Sequence, residues 1–277
     1  MEPQSAYIDA QGISLHYVDW GKNGPPLVLL HGGRRTCRSW DVVARQLSHK
    51  FWVIALDAKG HGDSEKPTSG YGYQQRLLDF QGFLDAMELE TCYGMGHSAG
   101  AITMALHGER YPGRLKRLFL IEPLISPRRA TIPSGGLSRV MRQRRVWSSR
   151  EELAAYLRQH PDTKKWREDV LRDVVCHEVS VHEDGSVEMK WSTDVYNSGD
   201  QLKDDYNLIN SASHISVPTF LMYGTDSFVP KDSGEQFAKA LPKGTFELVA
   251  GAGHNVYMEY PDLVFQRADE FFASQDK

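Results

Sequence analysis

One pentapeptide, Gly96-His97-Ser98-Ala99-Gly100, constrains the fold of this chain more than any other stretch. It reads G-x-S-x-G, with a strand-like apolar run at residues 91–95 before it and a helix-compatible run at residues 101–110 after it. A strand that turns sharply into a helix can hold a serine on a strained elbow, with its hydroxyl exposed at the carboxyl edge of a sheet. Glycines on both sides allow that turn to be tight. The pattern therefore predicts an α/β fold with Ser98 at a sheet edge.

Composition bounds the class of protein. The chain has 277 residues, 40% of them hydrophobic and 25% charged, which is enough to bury one large α/β domain or a domain with an insertion. A net charge of −4 offers nucleic acid no basic field, and no apolar run approaches the length of a membrane span. The polar N-terminus lacks a signal-peptide core, and three distant cysteines, Cys37, Cys92 and Cys176, fit reduced thiols. We expect a cytoplasmic protein, of open oligomeric state, that binds neither nucleic acid nor a membrane.

Short, wholly apolar runs predict strands that are buried on both faces of a sheet. They lie at residues 26–30, 51–56 and 118–121, and further strands are predicted at residues 217–223 and 245–249. His31-Gly32-Gly33 follows the first of them directly, and a glycine pair at that place lets backbone N–H groups face a cavity. We predict that the N–H groups of Gly33 and Ala99 form an oxyanion hole.

The character of the chain changes between residues 123 and 212. Prolines and a glycine pair interrupt the start of this stretch, and Ser149 with Glu152 has the pattern of a helix capping box. Two helical runs and a hairpin signal at Asp184-Gly185 follow. We predict a core domain formed by residues 1–122 and 213–277, with residues 123–212 inserted as a mainly helical cap.

Three polar residues, Ser98, Asp226 and His254, each follow a predicted buried strand. The carboxyl ends of parallel strands lie along one edge of a sheet, so these side chains can meet there. The order serine, aspartate, histidine is the one expected for this topology. Glu122 ends the strand before the cap at the same edge and is the alternative acid. We favour Asp226 because it follows the first strand after the cap.

These stretches together resemble the α/β-hydrolase superfamily in its capped branch. The resemblance rests on LLHGG at 29–33, LDAKGHGDS at 56–64, GHSAG at 96–100, VPTFLMYGTDSFVP at 217–230 and GAGH at 251–254. It implies a doubly wound, mostly parallel sheet, a serine nucleophile and no cofactor. Asp226 keeps the usual spacing to Pro230, but one residue fewer than usual separates it from Gly224. The cap matches no family from which a substrate could be carried over.

The residues define the expected chemistry. A serine hydroxyl is a poor nucleophile at neutral pH and needs a neighbouring base. We predict that His254 takes the proton of Ser98 and returns it to the leaving group, while a carboxylate fixes the histidine tautomer. The expected reaction is the hydrolysis of a carboxylic ester or lactone through an acyl-enzyme. His61 and Asp63 lie close in sequence, but no further ligand cluster supports them, so no metal site is predicted.

Side chains of the cap are expected to select a small-molecule substrate. The candidates for an apolar, aromatic lining are Met141, Trp147, Tyr156, Trp166 and Trp191. Seven arginines fall between Arg128 and Arg150 with no acidic residue among them. Such a run is usually a solvated face. The alternative is that an arginine from the Arg139 to Arg145 group points inward and binds an acidic part of the substrate.

Other functions are compatible with the same residues. Carbon–carbon bond hydrolysis, acyl transfer and hydroxynitrile cleavage all keep the fold and the triad. A ligand-binding receptor that turns over slowly would also retain the pocket. Haloalkane dehalogenases and most epoxide hydrolases of this fold use an aspartate nucleophile, so Ser98 disfavours those reactions.

Overall fold

A computed structural model of the chain describes residues 2–127 and 145–274. The strands in these two ranges are β1 (Gln4–Asp9), β2 (Ser14–Lys22), β3 (Pro26–Leu30), β4 (Trp52–Leu56), β5 (Cys92–His97), β6 (Leu115–Ile121), β7 (Val146–Trp147), β8 (Val179–Val181), β9 (Val187–Met189), β10 (Thr219–Gly224) and β11 (Gly244–Val249). The prediction of an α/β fold with a doubly wound, mostly parallel sheet is confirmed. The main sheet has eight strands, and six of them run parallel to one another, namely β3, β4, β5, β6, β10 and β11.

The helices of the described ranges follow the same chain order. They are α1 (Asp41–Leu47), α2 (Tyr73–Ala86), α3 (Ala99–Arg110), α4 (Arg150–Gln159), α5 (Glu168–His177), α6 (Asp194–Asn197), α7 (Leu208–Ser211), α8 (Lys231–Ala240), α9 (Val256–Glu259) and α10 (Pro261–Ala273), with 3₁₀ turns at Cys37–Trp40, Asp200–Lys203 and Ala212–His214. In the part of the chain that is described, no helix combines the length and the apolar character needed to cross a bilayer.

The main sheet has eight strands in the order β1-β2-β4-β3-β5-β6-β10-β11. An antiparallel hairpin, β1–β2, forms one edge, and β2 pairs antiparallel with β4. Strand β5, which directly precedes Ser98, lies between β3 and β6, near the middle of the sheet. The strand ends that carry Gly33, Ser98 and Glu122 are therefore neighbours at one edge.

Alternate residues of each central strand pack on opposite faces of the sheet. In β3, Leu27 and Leu29 belong to one buried apolar cluster, whereas Val28 and Leu30 belong to a second. This is the period of two that a strand imposes, and it explains why strands covered by helices on both faces are apolar throughout.

Residues 145–212 contain a second, three-stranded antiparallel sheet in the order β7-β9-β8. The predicted hairpin at Asp184-Gly185 is formed by β8 and β9, and Gly185 adopts the positive φ of 83° that such a turn favours. The predicted cap of α4 also forms, because the Ser149 hydroxyl accepts a hydrogen bond from the Glu152 N–H at 3.3 Å.

Backbone hydrogen bonds fasten this segment over the edge that carries the polar strand ends. Gly62 N–H donates to the Lys190 carbonyl at 2.6 Å, and Ser192 N–H donates to the Gly60 carbonyl at 2.7 Å. Arg167 N–H donates to the Met258 carbonyl at 3.1 Å. These bonds reach the loops on both sides of Ser98 in the sheet, so they position the walls of the cavity described next.

Candidate active site

Ser98 lies on a strained turn between β5 and α3. Its φ of 50° and ψ of −115° are unusual for a residue with a side chain. Its N–H donates to the Ile121 carbonyl of the neighbouring strand at 2.9 Å. The strand, the turn and the helix are thus arranged as the G-x-S-x-G pattern predicts.

Two glycines make this turn possible. A Cβ on Gly96 would lie 2.8 Å from the Ala101 nitrogen, and a Cβ on Gly100 would lie 2.3 Å from the Leu30 carbonyl oxygen. Both contacts are with backbone, which cannot move aside cheaply. Only glycine therefore allows α3 to start so close to the strands.

His254 follows β11 and precedes α9. Its Nδ1 lies 3.2 Å from Oε2 of Glu122. A carboxylate only accepts hydrogen bonds, so this contact places the ring proton on Nδ1 and leaves Nε2 able to take a proton. The ring also contacts those of Phe228 and His97, with centroids 4.6 and 4.7 Å away.

His97 lies behind His254 and holds its backbone. Its Nε2 donates to the His254 carbonyl at 2.9 Å. Burial lowers the pKa of His97 well below its usual value, so the ring stays neutral and keeps the proton on Nε2. His97 therefore supports the backbone of His254.

Glu122 is fully buried where β6 ends, with a positive φ of 55°. Its Oε1 accepts a hydrogen bond from Gly224 N–H at 2.6 Å. Its Oε2 accepts one from the Ser227 hydroxyl at 2.5 Å, in addition to the contact with His254. A carboxylate that is removed from water needs such donors, and here three groups supply them.

The expected partnership of Asp226 with His254 is corrected by the structure. The Asp226 side chain is 52% exposed and pairs with Lys165, whose Nζ lies 2.8 Å from its Oδ2. That lysine lowers the pKa of Asp226. The loop after Gly224 turns Ser227, the residue that follows Asp226, towards Glu122 at the sheet edge. Glu122, rather than Asp226, contacts His254. The alternative acid is therefore the one in contact with the histidine.

Gly33 and Ala99 both lie at this edge, and His31 orients the loop that carries Gly33. Ala58 N–H donates to His31 Nε2 at 3.0 Å, so the ring proton is on Nδ1, which donates to the Gly32 carbonyl at 2.7 Å. The C=O and N–H of a trans peptide point in opposite directions. The Gly33 N–H therefore points away from His31.

Neither candidate oxyanion donor is used by the protein itself. Within residues 2–127 and 145–274, the N–H groups of Gly33 and Ala99 donate to no protein acceptor. Burial lowers the pKa of His31 to about 4, so the tautomer that fixes the Gly32–Gly33 peptide persists at neutral pH. Two unused donors beside Ser98 are the arrangement that an oxyanion requires.

A cavity of about 850 Å³ contains Ser98, His254 and Gly33 in its walls. That volume suits a small-molecule substrate. Four of the predicted lining residues contribute to it, namely Trp147, Tyr156, Trp166 and Trp191. Met141, the fifth, lies outside the described residues, as do Arg139, Arg142 and Arg144 of the arginine group. Arg145, the last of that group, lines the cavity, and so do Arg34 and Arg35, which sequence reasoning missed.

The two residues considered for a metal have other contacts. His61 is buried, with Nδ1 3.1 Å from the Lys59 carbonyl, and Asp63 pairs with Lys190 at 2.7 Å. A separate buried group within the described residues joins His16, Cys37 and Asp57. Its carboxylate accepts hydrogen bonds from Cys37 N–H at 2.6 Å and from Asp63 N–H at 3.0 Å, and contacts His16 Nδ1 at 2.7 Å. These bonds tie the loop after β4 to the sheet, which is a structural role.

Comparison with known proteins places this geometry in a family. The model of a family described as "Alpha/beta hydrolase family" matches residues 27–267. N-formylmaleamate deformylase from Pseudomonas putida is 36% identical over 132 residues, which cover 46% of this chain and 48% of that protein. A non-heme chloroperoxidase from Streptomyces lividans is 26% identical over 92% of this chain and 94% of its own.

A solved structure extends the match to the whole fold. The crystal structure of E-2-(acetamidomethylene)succinate hydrolase superposes with a TM-score of 0.83 at 20% identity, covering 99% of this chain and 100% of that one. The names of these three relatives differ in the activity that they state, namely a deformylase, a chloroperoxidase and a hydrolase. The match over residues 27–267 spans most of the sequence. The chain belongs to the alpha/beta hydrolase family.

Proposed function

We propose that the protein is a cofactor-independent serine hydrolase that cleaves a carboxylic ester or lactone through an acyl-enzyme. The observation that carries the proposal is the contact between His254 and the buried Glu122, beside a serine held at a positive φ. Hydrogen bonds hold each of these three residues in place: Ser98 bonds to Ile121, His254 to His97 and Glu122 to Gly224. The partner of the reaction is a small-molecule substrate in the 850 Å³ cavity.

The first half of the reaction forms the acyl-enzyme. His254 Nε2 takes the proton of the Ser98 hydroxyl as its oxygen attacks the substrate carbonyl carbon. The N–H groups of Gly33 and Ala99 stabilise the negative charge on the carbonyl oxygen. The tetrahedral intermediate then breaks its bond to the leaving group, which receives the proton from His254.

The second half releases the acid. Water gives a proton to His254 and attacks the acyl carbon, and Ser98 leaves with that proton. Glu122 accepts the hydrogen bond from His254 Nδ1 throughout, which keeps that proton on Nδ1 and stabilises the imidazolium that forms twice. The Glu122 side chain is held in position by contacts with Gly224 N–H, the Ser227 hydroxyl and His254 Nδ1.

Covalent labelling combined with ester turnover tests the proposal. A fluorophosphonate probe should modify Ser98, and p-nitrophenyl esters and lactones should be hydrolysed. Ser98→Ala should abolish labelling and lower kcat by about 10⁶. Near-normal esterase activity in that variant would contradict the assignment of the nucleophile.

Amide hydrolysis is a second candidate, favoured by one comparison. The relative with 36% identity over half of its length is a deformylase, which cleaves a formyl group from nitrogen. The same acyl-enzyme chemistry serves an amide when His254 protonates the leaving nitrogen. An N-formyl or N-acetyl amide hydrolysed faster than the matched ester would favour this candidate.

A further inference from the structure

The acidic residues that line the cavity are all engaged by the protein. Asp226 pairs with Lys165 at 2.8 Å, and Glu259 accepts a hydrogen bond from Gly253 N–H at 2.8 Å. The remaining two, Asp162 and Glu188, lie 3.9 Å from His160 and 3.8 Å from His182. Asp226 is thus paired with a lysine and Glu259 with a backbone donor, whereas the histidines near Asp162 and Glu188 carry a charge only when protonated.

Arg34 differs from these acids. It lines the same cavity directly after Gly33, yet within residues 2–127 and 145–274 it makes no ion pair, hydrogen bond or ring contact. Its φ is 62°, a left-handed value that an arginine adopts at a cost. Strained backbone of this kind concentrates at functional sites. The strain here presents a cation next to a candidate oxyanion donor.

Arg145 also lines the cavity. Its guanidinium lies 4.1 Å from the centroid of the Tyr156 ring and 5.4 Å from that of Trp147. Stacking on aromatic faces fixes the guanidinium plane and leaves its N–H groups at the rim for another partner. Glu152 is near enough to interact with it electrostatically, but that carboxylate accepts two hydrogen bonds from Ser148.

Arg35 shows what a compensated arginine looks like in the same wall. Its Nη1 lies 3.4 Å from the buried carboxylate of Glu178, and its guanidinium lies over the Trp166 ring at 5.0 Å. Arg35 thus holds the loop in place, whereas its neighbour in sequence faces the cavity with its charge unpaired among the described residues.

We propose that Arg34 and Arg145 form an anion subsite, and that the substrate carries a carboxylate in addition to the acyl group that Ser98 attacks. This inference rests on the proposed function. Planar guanidinium groups bind carboxylates through two parallel hydrogen bonds. Because Arg34 follows Gly33 directly, the carboxylate belongs to the acyl half of the substrate. Monoesters or monoamides of short dicarboxylic acids have this chemistry.

A matched pair of esters tests the subsite. Mono-p-nitrophenyl glutarate and p-nitrophenyl pentanoate have acyl chains of equal length, and only the first ends in a carboxylate. We expect the wild type to prefer the glutarate in kcat/KM. Arg34→Met, which retains a long side chain at the strained position, should lower the glutarate-to-pentanoate ratio about 10- to 100-fold. Arg145→Met should lower it less, and Arg34→Lys should retain part of it.

Arg158 supplies the matched control. It lies on α4, is half exposed and pairs with Glu168 outside the cavity. Arg158→Met removes one positive charge from α4, the helix that also carries the cavity residue Tyr156, and leaves the lining residues unchanged. Its ratio should equal that of the wild type. A fall equal to that of Arg34→Met would mean that net charge, rather than a subsite, sets the preference, and would overturn the proposal.

Binding separates this inference from the proposed function. Glutarate should bind to Ser98→Ala protein in calorimetry, with glutaramide binding at least about tenfold more weakly. Arg34→Met should remove the difference. If no ester is hydrolysed but glutarate still binds through Arg34, the hydrolase proposal fails and the subsite stands. If neutral esters label and turn over at Ser98, but Arg34→Met changes neither the ester ratio nor glutarate binding, the subsite is wrong.

Discussion

Nδ1 of His254, in the loop after β11, lies 3.2 Å from Oε2 of Glu122, which directly follows β6. Glu122 is fully buried and the exposed Asp226 pairs with Lys165. The histidine therefore takes its carboxylate from the end of β6 rather than from the loop after β10.

The first prediction compares the two acids. Glu122→Gln should lower kcat by up to about 10⁴, because the amide no longer keeps the proton of His254 on Nδ1. Asp226→Asn should change kcat less than about fivefold, because Asp226 forms an exposed ion pair with Lys165 and does not contact His254. Steady-state kinetics on variants with native circular dichroism checks the ranking. The opposite ranking would return the acid to Asp226.

The second prediction concerns Ser227, whose hydroxyl donates to the same oxygen of Glu122 at 2.5 Å. Ser227→Ala should lower kcat about 10- to 100-fold with little change in KM, because a hydrogen bond to a charged group is worth about 1.5–3 kcal/mol. Ser227→Thr retains the hydroxyl and should stay close to the wild type. The Ser227 hydroxyl also accepts a hydrogen bond from Val229 N–H. Equal losses in both variants would mean that Ser227 shapes this loop rather than supporting Glu122.

Local signals were enough to predict the position of Ser98, on a tight turn between a strand and a helix, because they are short-range. Strand, turn and helix are consecutive around Ser98, and the close approach of backbone at Gly96 and Gly100 requires glycine whatever the rest of the chain does. Strands β3 and β4 were predictable for the same reason, since each is apolar and buried on both faces, whereas β11, which was also predicted as buried, lies at the edge of the sheet with only Val249 buried. Long-range assembly then follows from the rule that parallel strands share one carboxyl edge.

The acid was not predictable in this way because two spacings conflict. Counting back from Pro230 selects Asp226, whereas the shortened distance from Gly224 places Ser227 where the usual acid stands. Only the path of the loop decides, and it turns Ser227 inward. Arg34 was missed for a related reason, because its role depends on a positive φ that no sequence period reports.

The third prediction uses two buried groups with opposite effects on stability. The pKa of His31 is lowered to about 4, against about 6.5 in the unfolded chain, so the unfolded state binds the extra proton between these values. His31 therefore makes stability fall as pH decreases from about 6.5 to 4. Burial raises the pKa of Glu178 to about 7, so the native state binds the extra proton above about 4.5. Glu178 makes stability fall as pH increases towards 7.

Urea unfolding between pH 4.5 and 6 measures both contributions. His31→Gln should make the slope of unfolding free energy against pH less positive by about 1.4 kcal/mol per pH unit. Glu178→Gln should make it more positive by a similar amount. The slope is the readout, so a loss of overall stability in either variant does not affect the test. Slopes that shift in the same direction would contradict the assigned burial effects.

The last prediction concerns Gly33 and the hydroxyl of Tyr196. A Cβ at position 33 would lie 2.6 Å from that hydroxyl and 3.9 Å from the ring carbon that bears it. Apart from its chain neighbours, these are its two contacts within 4 Å among the described residues. Tyr196 packs edge-on against Trp191, with ring centroids 5.7 Å apart. Because this packing holds Tyr196 in place, the clash should displace the loop that carries Gly33. Gly33→Ala should therefore lower kcat at least about tenfold, since loss of one donor costs about 10²–10³.

A double variant tests whether the Tyr196 hydroxyl causes this loss. Because only the oxygen is too close, adding Gly33→Ala to Tyr196→Phe should lower kcat much less than adding it to the wild type. Such coupling is the signature of two residues in contact. An equal loss in both backgrounds would show that the Tyr196 hydroxyl does not set the position of the Gly33 N–H.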